Sequence, residues 1–102
     1  MIVNTMRITV SPEKRAELFQ TIDRLVAPIE SFRGCRTSRF YVDATDEYSS
    51  VLISEWDTET DLNTYLNSKD FAILRGALSV LNVSSSDSTA FVTSRPQSSA
   101  KK

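Results

Sequence analysis

Residues 53–71, ISEWDTETDLNTYLNSKDF, constrain the fold more than any other stretch of the chain. A β-rich run ends on Trp56. Thr58 follows at once as a helix cap, with Asp61 three residues on in a capping-box-like position. Leu62, Tyr65 and Leu66 give that helix its apolar residues. Ser68 caps a second helix, which carries Phe71, Ile73, Leu74, Ala77, Leu78 and Leu81 at helical spacing. A strand that feeds directly into two short amphipathic helices needs a sheet with helices packed against it.

The upstream sequence supplies the rest of such a sheet. Residues 2–10 place Ile2, Met6, Ile8 and Val10 on one side of a period-2 pattern, with Thr5, Arg7 and Thr9 on the other. Ser11-Pro12-Glu13 then opens a helix. Serine caps, proline needs no amide at the first position, and glutamate suits the positive end of the dipole. Leu18, Phe19, Ile22, Leu25, Val26, Ile29 and Phe32 form its apolar stripe. Pro28 interrupts the stripe at a cost of roughly 3 kcal/mol, which predicts an end near Ala27 or a kink. Gly34 closes the segment. Residues 35–43 and 49–57 read as two strands joined by the short polar link 44–48, an antiparallel hairpin. A last strand falls within 82–93, surest at Ala90, Phe91 and Val92. The domain therefore spans 1–93, and residues 94–102 (SRPQSSAKK) are expected to be a disordered polar tail.

The order β-α-β-β-α-β is an α+β, ferredoxin-like arrangement with an antiparallel sheet. Its helices can cover only one sheet face, yet the strands carry apolar residues on both. Val51 and Ile53 lie on one face, Leu52 and Trp56 on the other. An uncovered apolar face needs a partner. This predicts a homodimer whose two sheets pack face to face into an α+β barrel.

Composition narrows the function classes. The net charge is −1 over 102 residues, without the basic face of a nucleic-acid binder. No apolar run approaches the roughly 20 residues that span a bilayer, and residues 1–10 do not read as a signal peptide. The expected location is the cytoplasm. A single cysteine and no histidine leave no zinc-like ligand set, and no metal is expected. Gly34 and Gly76 are the only glycines, so there is no glycine-rich phosphate loop.

With Gly34-Cys35 opening the second strand, Trp56 closing the third, Leu62 six residues on and then Ser68-x-x-Phe71, residues 2–93 resemble the antibiotic biosynthesis monooxygenase family. The resemblance implies a dimeric α+β barrel with a cavity between sheet and helices in each subunit. It also implies oxygenation of small aromatic molecules, quinols or anthrone-type polyketides, with neither metal nor flavin; other members degrade haem. Trp56 matches the strand-end tryptophan, Tyr41 a tyrosine of anthrone-type members, and Arg75 (in ILRGAL) an arginine of the same group. The chain departs from that group at Leu52, Leu62 and Val42, where it has asparagine, tyrosine and histidine. Quinol-type members have histidine at Tyr65 and often glutamate at Ser54. Met6, Tyr65 and Arg75 stand where haem degraders need asparagine, tryptophan and histidine, which argues against haem degradation.

Cofactor-free oxygenation requires that the substrate lose a proton and become an anion able to reduce oxygen. The protein contributes a base, a dry cavity and donors for the anion. Histidine, the usual base near neutral pH, is absent. Tyrosine titrates near 10 and arginine stays protonated, so both serve better as donors. Arg75 and Tyr65 are the catalytic candidates: Arg75 as anion stabiliser, Tyr65 as hydrogen-bond donor. Trp56 and Tyr41 are the candidate substrate-contacting walls. Each has a structural reading beside it: core filling for Trp56, barrel interface for Tyr41, helix packing for Tyr65, an outward-reaching surface cation for Arg75. Cys35 reads as a small buried apolar residue. The alternative function is a non-catalytic barrel that binds a small ligand or serves as an assembly module. A cavity filled by Leu52, Leu62 and Phe71 would favour a structural role.

Overall fold

A computed structural model describes residues 1–81 and 83–91. Strand β1 (Ile2–Thr9) leads through a 3-10 turn (Pro12–Lys14) into helix α1 (Arg15–Glu30). Strands β2 (Cys35–Val42) and β3 (Ser49–Trp56) follow, then helices α2 (Glu59–Leu66) and α3 (Lys69–Val80), and strand β4 (Ser84–Phe91). The four strands form one sheet in the order β2-β3-β1-β4, and every neighbouring pair is antiparallel. This is the α+β, ferredoxin-like arrangement that the pattern predicts.

Side-chain alternation divides the sheet cleanly. Ile2, Asn4, Met6 and Ile8 of β1, with Ser50, Leu52, Ser54 and Trp56 of β3, point to the buried side. There they meet Leu18, Ile22 and Ile29 of α1, Leu62 of α2, and Leu74 and Leu78 of α3. The opposite face carries Val3 and Thr5 of β1 and Val51, Ile53 and Glu55 of β3, all half-buried, with Arg7 exposed. Among the described residues no helix covers that face.

Two helix boundaries differ from the sequence pattern. Helix α1 neither stops near Ala27 nor loses its last turn; it runs through Pro28 to Glu30. Burial of Ile29, 3% exposed, holds that turn. The carbonyl of Pro28 accepts from the Ser31 hydroxyl at 2.6 Å. Tertiary packing outweighs the proline penalty so close to the helix end. At the other end, Ser11 makes no side-chain cap hydrogen bond, and the α-helix begins only at Arg15, after the 3-10 turn. Strand β4 is described as far as Phe91; Val92 and the predicted tail 94–102 lie outside the described residues. Among the described residues no helix is long and apolar enough to cross a membrane.

Candidate functional site

The chain returns on itself sharply after Trp56. Thr58 accepts the Asp61 amide at 3.1 Å and donates its hydroxyl to the Asp61 carboxylate at 2.9 Å. This closes the first turn of α2 and sets the helix back over the end of β3. Gly34 sits beneath it with φ of +82°, a conformation that side chains resist. A Cβ there would collide with the Asp61 carboxylate. The Gly34 carbonyl accepts the Asp57 amide at 2.8 Å, so the α1–β2 turn and the start of α2 are tied together. Ser68 caps α3 by accepting the Phe71 amide at 3.1 Å.

These constraints assemble an aromatic cluster. Trp56 is fully buried and Tyr65 is 3% exposed. Their rings stack at 5.3 Å with an interplanar angle of 24°. Phe32 and Phe71 each meet Tyr65 edge-on, at 5.1 and 5.2 Å. The Arg75 guanidinium lies 5.8 Å from the centre of the Phe71 ring, although Arg75 itself is exposed. Trp56, Tyr65 and Arg75 are therefore linked through Phe71. Tyr41 is not brought to this cluster. It pairs with Val51 on the opposite sheet face and is 51% exposed. Leu52 and Leu62 are buried in the same core as Trp56.

A second feature is polar and was not singled out from the sequence. Asn4, Ser54 and Ser38 face one another across three strands, and all are buried on the helix side. Asn4 Nδ2 donates to Thr89 Oγ1 at 3.3 Å. Trp56 Nε1 donates to Ser54 Oγ at 2.9 Å, so Ser54 orients the indole. Ser38 Oγ has no hydrogen-bond partner among the described residues. An unsatisfied buried hydroxyl of this kind costs about 1–3 kcal/mol. The signal was present in the sequence: polar residues fall on the apolar phase of β1 and β3.

Ser38 lines a groove of about 420 Å³ between α1 and β2. A hollow of about 600 Å³ lies beside the start of α2, lined by Phe32, Arg33 and Asp61 among others. Neither is lined by Trp56, Tyr65 or Arg75. Burial pushes the half-buried Cys35 thiol up to about 11, with the Glu30 and Glu55 carboxylates adding to the shift. Cys35 is accordingly a protonated thiol near neutral pH, not a nucleophile. The cluster as it stands is a closed aromatic stack with one nearby cation.

Comparison with known proteins adds the family. The family model described as antibiotic biosynthesis monooxygenase matches residues 1–74. A Deinococcus radiodurans protein described as a candidate antibiotic biosynthesis monooxygenase superposes with a TM-score of 0.88 at 19% identity, covering 93% of this chain and 95% of that one. A Mycobacterium tuberculosis protein superposes at 0.81 with 18% identity, covering 94% and 98%. SnoaB, a cofactor-independent oxygenase from Streptomyces nogalater, superposes at 0.79 with 20% identity, covering 95% and 96%. At these identities the superpositions establish the shared fold. A sequence search of curated proteins finds no match.

Proposed function

Because this chain belongs to the antibiotic biosynthesis monooxygenase family, we propose that it is a dimeric, monooxygenase-type barrel acting on a small aromatic, quinol-like substrate. No metal or flavin is assigned to the reaction. The observation that carries the reading is the contact chain Trp56–Tyr65–Phe71–Arg75 on the helix side of the sheet. In this reading Trp56 and Tyr65 are the aromatic wall, the Tyr65 phenol donates to a substrate oxygen, and Arg75 steadies the substrate anion by a charge-assisted hydrogen bond. The anion then reduces oxygen directly. With no histidine in the chain, the substrate must be acidic enough to ionise with help from a cation alone. Tyr41 belongs, with Val51 and Ile53, to the open sheet face that a second subunit covers.

The second reading is a non-catalytic barrel that keeps the fold. Complete burial of Trp56, with Leu52 and Leu62 packed into the same core, favours it: a substrate reaches the indole only after the cluster opens. Oxygen uptake with an anthrone and with a reduced naphthoquinone separates the readings. The monooxygenase reading predicts uptake faster than with heat-denatured protein, reduced at least tenfold in Arg75→Ala and partly restored in Arg75→Lys. Uptake equal to the denatured control, or indifferent to Arg75, supports the non-catalytic barrel. Light scattering tests the dimer, which a stable monomer at micromolar concentration would rule out.

A further inference from the structure

Two rings meet the buried Tyr65 edge-on, and they are held differently. Phe71 is 8% exposed, sits inside α3 and lies beside the Arg75 guanidinium. Phe32 is half-buried and sits in the turn between α1 and β2. Its ring centre lies 5.1 Å from that of Tyr65, at an interplanar angle of 78°. Phe32 also lines the hollow of about 600 Å³ beside the start of α2. One side chain therefore touches both the closed stack and the open space.

The backbone around Phe32 is pinned. Its amide donates to the Ile29 carbonyl and its carbonyl accepts the Cys35 amide, both at 3.1 Å. Two residues on, the Gly34 carbonyl accepts the Asp57 amide at 2.8 Å. Movement of the whole turn would break these bonds; rotation of the side chain breaks none of them. The hollow has room to receive the ring, since a cavity of roughly 150 Å³ already holds benzene. The rest of its lining is Arg33, Asp61 and three threonines, so it offers the ring little apolar contact and the inward position is the resting one.

We propose that Phe32 is a side-chain gate to the aromatic stack. Closed, its ring seals Tyr65 and Trp56 from the hollow. Open, it turns into the hollow and uncovers Tyr65 and the indole stacked on it. Such an opening is local and leaves the rest of the core folded. Its consequence for turnover rests on the reading of the stack as the substrate wall; the opening itself does not. Phe32 then sets access to the wall without touching the reacting atoms.

Acrylamide quenching of Trp56, the single tryptophan, reads the opening without substrate. Phe32→Ala raises the native quenching constant about fivefold, the weight of one edge-to-face ring contact. Phe32→Leu restores part of the protection. Phe40→Ala trims another half-buried ring, in the groove between α1 and β2. It leaves the constant at the wild-type value and so controls for general loosening. Thr64→Phe places a ring in the hollow from an exposed helix position, so the fold is retained, and lowers the constant below wild type. An unchanged constant in Phe32→Ala, an equal rise in Phe40→Ala, or a Thr64→Phe value at or above wild type overturns the gate. Failed oxygen uptake beside a Trp56 that responds to Phe32 removes the oxygenase reading alone. Oxygen uptake in a protein whose Trp56 ignores Phe32 removes the gate alone.

Discussion

The two ends of the helix-covered sheet face are built on opposite terms. At one end, Trp56, Tyr65, Phe32 and Phe71 fill the space between β3, α2 and the α1–β2 turn, and the indole is fully buried. At the other, α1 touches β2 through the Phe19–Phe40 ring pair and the Ser38–Glu30 hydrogen bond, and a groove remains open between these contacts. Trp56 and Tyr65, two of the residues that invite an oxygenase reading, lie in the filled end, and this groove lies in the other. Chemical resemblance and accessible volume have separated within one subunit. Any reaction at Trp56 therefore begins with a local opening, whereas the groove is open at rest.

The largest expected effect comes from breaking the filled end. Trp56→Ala should cost about 3–5 kcal/mol of unfolding free energy, as large-to-small changes in a packed core do. Phe40→Ala, at the half-buried groove wall, should cost about 1–1.5 kcal/mol, roughly half of a full transfer. Denaturant titration of both variants measures the contrast; equal losses would erase the distinction between the two ends. Gly34→Ala comes next, at about 1–3 kcal/mol for a strained backbone conformation, with displacement of Asp61 added. Thr58→Ala should cost about 1 kcal/mol through loss of the α2 cap, read as a fall in denaturation midpoint at unchanged slope.

The last expected effect shows only at alkaline pH and concerns Cys35, the first residue of β2. Its thiol titrates near 9 when unfolded and is raised to about 11 in the fold, by burial first and by Glu30 and Glu55 next. The folded state therefore holds the proton more tightly. The resulting stability is fully present below pH 9 and is lost as pH rises toward about 11. Cys35→Ala should flatten that part of a stability-against-pH curve, and an unchanged slope would show that another group is responsible.

The filled end was largely legible in the sequence. Thr58, Asp61 and Ser68 act through nearby backbone, so their capping roles follow from spacing alone. The alternation in β1 and β3 gave the sheet faces correctly. Whether α1 stops near Ala27 or continues through Pro28 could not be decided from the sequence, because the burial that offsets the proline is tertiary. The same limit applies to Tyr41: the likeness to anthrone-type members names the residue, but only strand pairing shows it on the face opposite Trp56. The groove was invisible for a related reason. An unpartnered Ser38 hydroxyl is defined by what every neighbouring element fails to supply, and no local pattern encodes that.

Trp56 is the only tryptophan in the chain, so its fluorescence reports on the filled end alone. Acrylamide quenching of the native protein is the most direct test that this end is closed at rest. The structure predicts a quenching constant that is a small fraction of that for free tryptophan, rising to the free value only on unfolding. A native value near that of free tryptophan would contradict the account.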